Sequence, residues 1–481
     1  MKQLNQLLAT LGLPSANSNA VIERIVFDSR LANENTLFVA IKGGTSDGHN
    51  YLTQVQAQGC KYAIVEHAGS AAIQQFVVED SRKALAVLAC EWFGHPSKYL
   101  SLVGITGTNG KTTTATLLYN LFQRLGYKTG LLSTVVNKIG DEAIPSTHTT
   151  PDPFALNELL RTMVDAGCTH CFMEVSSHAV HQQRIHGLVF EGAVFTNITH
   201  DHLDYHQTFA EYIKAKKMFF DNLSNEAFAL TNKDDRNGEV MLQNTKASKY
   251  TYALNSMADF KATILENELS GLVLKINGVE LYTRLIGKFN AYNLLAVYGV
   301  GQLLKVPTDT LLAAISSLDA VDGRFQFFKS NKGVTVVIDY AHTPDALENV
   351  LKTIGLFRKN QQKVITIVGC GGDRDAAKRP TMASIAQQLS NQVILTSDNP
   401  RTENPGSILA AMQTGIDAAL EVPVLSIEDR KQAIHTAALL TVDGDIVLIA
   451  GKGHEKYQEI MGVKHPFDDF QIAFEFFNKT M

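Results

Sequence analysis

Over residues 1–97, apolar and polar positions alternate in short bursts. RIVFDSR (24–30), TLFVAI (36–41) and YAIVE (62–66) read as strands, parted by turn-rich stretches such as KGGTSDGHN (42–50). This predicts a small α/β unit. The pattern changes at His95-Pro96-Ser97, where SLVGITG (101–107), an apolar strand entering a glycine turn, opens a longer alternation. A helix is expected over 111–125, strands over 171–176, 192–197 and 227–231, and a helix near 208–221, as in a parallel sheet with crossover helices. A second change falls at Gly323-Arg324. Beyond it TVVIDYAH, KVITIVGCGGD, QVILTSD and DIVLIAGKG are buried-type strands ending in polar or glycine-rich residues. The expectation is an α/β chain of three domains: 1–97, a central parallel-sheet domain at 98–325, and a Rossmann-like doubly wound domain at 326–481. Ligands of such sheets bind at the carboxyl ends of the strands.

At 481 residues the chain exceeds what one core usually supports, in keeping with several domains. The net charge of −5 gives no basic excess to attract nucleic acid. The start, MKQLNQLLATLGLPSANSN, lacks the apolar core of a signal peptide, and no stretch has the length of a membrane span, so a cytoplasmic location is expected. Five cysteines without framework spacing suit a reducing compartment. Cys168 and Cys171 spell C-x-x-C, but with no second pair for zinc, ordinary packing is expected of them.

The most specific chemistry is the stretch from Gly104 to Thr114, GITGTNGKTTT, between an apolar strand and a helix. Glycines let backbone N–H groups converge on anionic oxygens, and the helix N-terminus adds positive potential. Lys111 brings a full charge to the terminal phosphates and Thr112 a hydroxyl to Mg²⁺; the cradle would be Gly107, Thr108, Asn109, Gly110 and Thr113. The strict phosphate-loop pattern wants glycine where Ile105 stands. A competing signal, Asn232-Lys-Asp-Asp235, matches a guanine-reading motif but is expected to be a turn after strand 227–231. Glu174 ends one strand and His202 follows the next within His200, Asp201, His202, Asp204 and His206, a cluster suited to divalent cations.

Taken together, GTNGKTTT, TTPDP, MEVSSHAV, FTNITHDHLDYH, GKFNAYN, DYAHTPDAL, GCGGDRD, DNPRTENP and GKGHE resemble the Mur ligases, in order and over nearly the whole chain. The resemblance implies an enzyme that spends ATP to phosphorylate a carboxylate and lets an amine displace the phosphate. It implies catalytic roles for Lys111, Glu174, His202 and Lys216, the last as a carbamate formed with CO₂, with Thr112, Glu174, His202 and Lys216 holding Mg²⁺. On sequence alone Lys214, Lys216 and Lys217 are alike, and each would pass as a surface charge. Asn293 would face the adenine, and Arg324 and Asp339 the nucleotide. Gln326 departs from the family, which usually has an acidic residue after its Gly-Arg pair.

For the substrates, the resemblance implies UDP-MurNAc-L-Ala-D-Glu. Ser29 and the loop of Gly44, Thr45 and Ser46 would lie at its UDP end in the N-terminal domain, with Thr149, Thr150, Ser176, Gln182 and Arg184 at its peptide end. The amine would be met by Arg374, by Asp398, Asn399, Pro400 and Arg401, and by Gly451 and Glu455. An arginine closing that tetrad resembles the members that add meso-diaminopimelate rather than lysine. The physics agrees, because a guanidinium grips the additional carboxylate bidentately. A monomer is the working expectation, with closure of the C-terminal domain over the nucleotide. Three alternatives stay open: a lysine-adding relative, a folylpolyglutamate-type ligase, and a nucleotide switch without turnover.

Overall fold

The computed structural model describes residues 1–43, 46–146, 148–359 and 361–479, so Gly44 and Thr45 of the expected UDP loop lie outside the described residues. The chain forms two compact units: residues 1–104, 127–192 and 222–227, and residues 105–126, 193–221 and 228–481.

In the first unit β1 (Lys2–Gln3) pairs antiparallel with β2 (Val21–Ile22). Next come β3 (Arg24–Val26), β4 (Thr36–Val39), β5 (Tyr62–Val65) and β6 (Gln74–Val77), a parallel sheet in that order. The sheet buries Leu37, Val39, Ile64 and Phe76 against Leu85 and Leu88 of helix Ser81–Trp92. Asp80 starts that helix by accepting from the N–H groups of Arg82 and Lys83. The unit continues with β7 (Ser101–Thr106), whose last two residues belong to the second unit, then β8 (Thr129–Leu132), β9 (Val136–Ile139), β10 (Glu142–Pro145) and β11 (His170–Glu174). Their order is β10-β9-β8-β11-β7, with β8 and β11 parallel. The TTPDP segment is also a helix start: Asp152 caps helix Pro153–Asp165 and Pro153 occupies its first turn. Cys168 and Cys171 are buried free thiols whose pKa values burial pushes up, in line with packing.

The second unit holds β12 (Gly192–Phe195), β13 (Phe228–Asn232), β14 (Ser248–Ala253), β15 (Phe260–Glu268), β16 (Gly271–Ile276) and β17 (Val279–Thr283), in chain order across the sheet. Pairing is parallel from β13 to β15 and antiparallel from β15 to β17. The β15–β17 meander went unanticipated, although Asn277-Gly278, both at positive φ, marks its hairpin turn. Asn232-Lys-Asp-Asp235 ends β13 and enters a turn, where Asp234 accepts from the N–H groups of Leu254, Asn255 and Ser256.

The C-terminal sheet comprises β18 (Gln326–Lys329), β19 (Thr335–Asp339), β20 (Val364–Val368), β21 (Gln392–Leu395), β22 (Val424–Ser426) and β23 (Ile446–Ala450). Its order is β18-β19-β23-β20-β21-β22, parallel apart from β18. Along β23, Ile446, Leu448 and Ala450 pack against helices Pro344–Phe357 and Lys378–Leu389, while Val447 and Ile449 pack against helices Arg430–Leu440 and Asp469–Asn478. Successive side chains thus feed cores on both faces, which is why these strands read as unbroken apolar runs. A last hairpin, β24 (Tyr457–Ile460) and β25 (Val463–Pro466), follows. Among the described residues, no helix is long and apolar enough to cross a membrane.

Candidate active site

The phosphate loop follows β7 and ends at helix Lys111–Arg124, with Gly110 as its N-cap at φ 86°. A Cβ on Gly110 would come within 2.6 Å of Asn293 Oδ1, and one on Gly107 (φ 151°) would run into Thr196 Oγ1. The loop therefore requires glycine at both places for conformation and for room. The β12 exit holds it from behind. Thr108 N–H donates to Asn197 O (2.8 Å), Asn109 N–H to Asn197 Oδ1 (2.9 Å) and Thr196 Oγ1 to Asn109 O (2.6 Å). Lys111 Nζ reaches back to Thr108 O (2.8 Å) and Gly107 O (3.0 Å).

Of the three lysines on helix Phe209–Asp221, only Lys216 is buried, at 1% exposure. Lys214 pairs with Glu211 and Lys217 with Asp221. Helical phase explains the difference, because Lys216 shares the buried face of Tyr212, Phe219 and Phe220. Its Nζ donates to Gly107 O (2.7 Å) and lies 4.6 Å from the Tyr212 ring centroid. Burial, then the charge of Lys111, pushes its pKa well below the ordinary lysine value, with Asp201 opposing. His202, at φ 56°, lies with Nε2 3.4 Å from Asp201 Oδ2. Burial alone would raise the Asp201 pKa, but His202, His342, Lys378 and Lys111 outweigh it and hold the carboxyl at about 2.

Residues from the C-terminal segment reach the same loop. Arg324 donates to Thr112 Oγ1 (3.1 Å) and stacks on Tyr340 at 4.4 Å; Asn109 Nδ2 donates to Asp345 Oδ2 (2.9 Å). Asp339 ends β19 and accepts from Phe325 N–H (2.6 Å); burial pushes its pKa up to about 6 against the pull of Arg324. Gln326 Oε1 accepts from Gly323 N–H (3.0 Å), so the residue that departs from the family caps the junction turn. Asn293 turns its carbonyl toward Thr114 Oγ1 (3.4 Å) and Gly110. Arg324 Nε, Thr199 Oγ1 and His454 Nδ1 are buried without a hydrogen-bond partner among the described residues. Buried polar atoms are seldom left so, and these suit a polar ligand at this loop.

At the carboxyl ends of β21 and β23 a second cluster forms. Asn399 Nδ2 donates to Glu455 Oε2 (2.7 Å), and Lys452 Nζ donates to Asn399 Oδ1 (2.9 Å) and Glu455 Oε2 (3.2 Å). Gly451 presses on Asp398, where a Cβ would meet Oδ2 at 2.5 Å. Arg401, at φ 51°, is threaded onto the last hairpin: its N–H donates to Glu459 O (3.0 Å) and its carbonyl accepts from Met461 N–H (2.6 Å). The guanidinium donates to Gly372 O (2.6 Å), with Nε 3.7 Å from Glu459 Oε2. Pro400 backs onto Gly372, and Arg374 is exposed on the loop after β20. Arg430, fully buried, makes two bonds to Asp469 (2.8 and 2.7 Å) and also donates to Ala450 O (2.9 Å) and Ser397 O (3.4 Å). It ties together the two strand ends that carry this cluster.

In the first unit, Glu174 accepts from Thr134 N–H (2.7 Å) and Oγ1 (3.2 Å), and the Thr134 and Thr149 hydroxyls lie 3.0 Å apart. Thr150 Oγ1 donates to Glu174 O (2.9 Å) and accepts from Ser176 N–H (3.2 Å), and Arg184 bonds to Thr150 O (2.7 Å) and Gln182 Oε1 (2.7 Å). The expected peptide-end residues therefore form one network. Ser29 and Ser46 follow the neighbouring parallel strands β3 and β4. Asp47, His49 and His67 are close enough to share an ion. His49 spends both ring nitrogens on Asp47 Oδ1 (2.7 Å) and Glu66 N–H (2.9 Å), which makes it a structural histidine.

Family models match residues 105–301 as the Mur ligase middle domain and residues 323–453 as the Mur ligase glutamate ligase domain. A protein of Cytophaga hutchinsonii named UDP-N-acetylmuramoyl-L-alanyl-D-glutamate--2,6-diaminopimelate ligase is 52% identical over 479 residues, 98% of each chain. The chain belongs to the Mur ligase family. A solved structure of a ligase of that same name aligns with TM-score 0.70 and 32% identity over 98% of each chain. A Mycobacterium tuberculosis folylpolyglutamate synthase shares the fold with TM-score 0.63 and 18% identity, over 77% of this chain and 92% of its own. This Mur ligase thus has the three-domain α/β architecture of its family.

Beyond the residues singled out from the sequence, the structure brings Asp345, Lys452 and Arg430 to these clusters. The first two lie within motifs of the sequence and carried a signal by position. Arg430 carried none, because its partner Asp469 is on another helix.

Proposed function

We propose that this Mur ligase joins meso-diaminopimelate to the D-glutamate carboxylate of UDP-MurNAc-L-Ala-D-Glu at the expense of ATP. The observation that carries the substrate choice is Arg401, which closes the Asp398-Asn399-Pro400-Arg401 tetrad after β21 and is held by Gly372 and by Glu459 of the last hairpin. It is supported by the name of the Cytophaga hutchinsonii relative, 52% identical over 98% of this chain. The domains are assigned as 1–97 for the UDP end, 98–325 for ATP and 326–481 for the amine.

The N–H groups of Gly107 to Thr113, Lys111 and Arg324 bind and orient the phosphates, and Asn293 and Asp339 complete the nucleotide site. Thr112, His202, Glu174 and Lys216 are assigned to Mg²⁺. Lys216 becomes an oxygen donor suited to a hard cation once it carries a carbamate, and its buried amine, biased toward the neutral form, can add to CO₂ with loss of one proton. Bound Mg²⁺ offsets negative charge on the transferring phosphoryl. The activated carboxylate is an acyl phosphate. The amine nitrogen attacks its carbon, the C–O bond to phosphate breaks with its electron pair, and the amine gives up a proton. Ser29, Ser46, Thr149, Thr150, Ser176, Gln182 and Arg184 hold the nucleotide peptide; Arg401, Arg374, Asp398, Asn399 and Glu455 hold the amino acid. The reaction is assigned to the cytoplasm, where ATP is at hand.

Phosphate release from ATP with UDP-MurNAc-L-Ala-D-Glu, supplied with either meso-diaminopimelate or L-lysine, tests the reading. Release with diaminopimelate alone, lost in Arg401→Ala, is expected. Release with lysine alone overturns the role of Arg401 while leaving the family intact.

A further inference from the structure

One buried charge is not used by the roles above. Lys452, in the turn after β23, has a fully buried side chain, a position that lysine takes only when acceptors surround it. Besides Asn399 Oδ1 and Glu455 Oε2, its Nζ lies 4.0 Å from Asp398 Oδ1 and 5.5 Å from the Tyr457 ring centroid. Glu455 Oε2 thus takes hydrogen bonds from both Lys452 and Asn399, while Oε1 accepts only from the Tyr340 hydroxyl (3.4 Å) among the described residues. The charged and titratable groups facing Glu455 are Asp398, Lys452, Tyr340, Tyr457 and Arg430. Tyr457 in turn faces Glu459 and Arg401, and Tyr340 faces Arg324. Burial, then Asp398, pushes the Glu455 pKa up, and Lys452 heads the groups that oppose the rise.

We propose that Lys452 is a positioning residue: it holds Glu455 ionised and fixed through Oε2, leaving Oε1 to receive an ammonium group of the incoming amino acid. This rests on the diaminopimelate reading given above. A carboxylate that must stay charged beside a second carboxylate in a dry site needs a resident cation, since two like charges at close range otherwise take up a proton. Lysine suits the role because one Nζ can donate to both loops at once.

The test is kcat/KM for meso-diaminopimelate and for ATP across about pH 5.5–9 in wild type, K452M, K452R, E455Q and K452M/E455Q. For K452M, the acid limb of the diaminopimelate profile is expected to move up by roughly one to three pH units, with at least about a tenfold loss near neutrality and an unmoved ATP profile. K452R should keep the wild-type limb. In the E455Q background, K452M should add less than about a twofold loss, because the two residues act as one unit. An unmoved limb in K452M, or the same K452M loss with and without Glu455, overturns the inference. If K452M does not fold, a displaced limb in K452R overturns it instead. Wild-type enzyme inactive with diaminopimelate overturns the substrate reading and this inference together, whereas active wild type with an unmoved variant limb overturns the role of Lys452 alone.

Discussion

Asp469→Asn removes one charge from a pair that water does not reach. The Arg430 guanidinium is left in a fully buried position with its charge, two carbonyl acceptors and no bonded counter-ion, only the fields of Asp398 and Glu455. Breaking such a pair from one side costs about 3–5 kcal/mol, a large part of the 5–15 kcal/mol that typically stabilises a domain. For a domain of this size that corresponds to a fall of roughly 6–20 °C in Tm. The chain's single tryptophan, Trp92, lies in the first unit, so its fluorescence is the wrong probe for this event. Amide hydrogen exchange along β19, β20 and β23 reads the affected sheet directly, and the opening free energy there should fall by that amount. Replacing both partners by apolar residues, Arg430→Met with Asp469→Leu, should cost less than Asp469→Asn, since no charge is stranded. A loss below about 1 kcal/mol in Asp469→Asn, or a double variant as unstable as the single one, would refute the claim that this pair clamps the ends of β21 and β23.

Gly110→Ala should abolish ATP-dependent phosphate release and nucleotide binding by calorimetry while leaving the secondary-structure spectrum intact, because the new Cβ would strain a positive φ and press on Asn293. Lys216→Arg should put a permanent cation where wild type holds a neutral amine or its carbamate, and should lose the amine that adds CO₂; the ¹³C carbamate resonance seen with labelled bicarbonate in wild type should vanish and activity should fall by at least about a hundredfold. Burial lowers the His342 pKa to about 4 from its ordinary 6.5, with Lys378 adding to the shift, so the folded state disfavours the proton that the unfolded chain binds. Stability is therefore complete above about pH 6.5 and lost as pH falls toward 4, by about 3 kcal/mol from this residue, and denaturant titrations of His342→Gln should show a shallower acid decline.

The parts of the site that were legible in the sequence are those whose chemistry is local. Strand, glycine turn, Lys111 and helix follow one another without a gap, and Asp152-Pro153 states a helix start in two letters. Lys216 was separable from Lys214 and Lys217 only through helical phase: the buried face of Tyr212, Ala215, Phe219 and Phe220 passes through it, and a lysine on such a face is the exception to explain. Arg430 was hidden for another reason, and Lys452, though its motif was visible, kept its role hidden in the same way. Their meaning lies in Asp469 and Asn399, partners brought near by sheet order rather than by sequence spacing. The β15–β17 meander escaped because exposed edges dilute its alternation with charges; the Asn277-Gly278 turn was its clearest mark.

Amide formation through an acyl phosphate leaves its mark in the fate of the carboxylate oxygens, which an isotope experiment follows. UDP-MurNAc-L-Ala-D-Glu carrying ¹⁸O in its D-glutamate carboxylate is incubated with the protein, ATP, Mg²⁺ and meso-diaminopimelate, and both products are weighed by mass spectrometry. Expected are a nucleotide product extended by diaminopimelate and phosphate that has gained one ¹⁸O from the carboxylate. An extended product alongside unlabelled phosphate would contradict the acyl phosphate, and ATP consumption with no extended product would contradict the ligation itself.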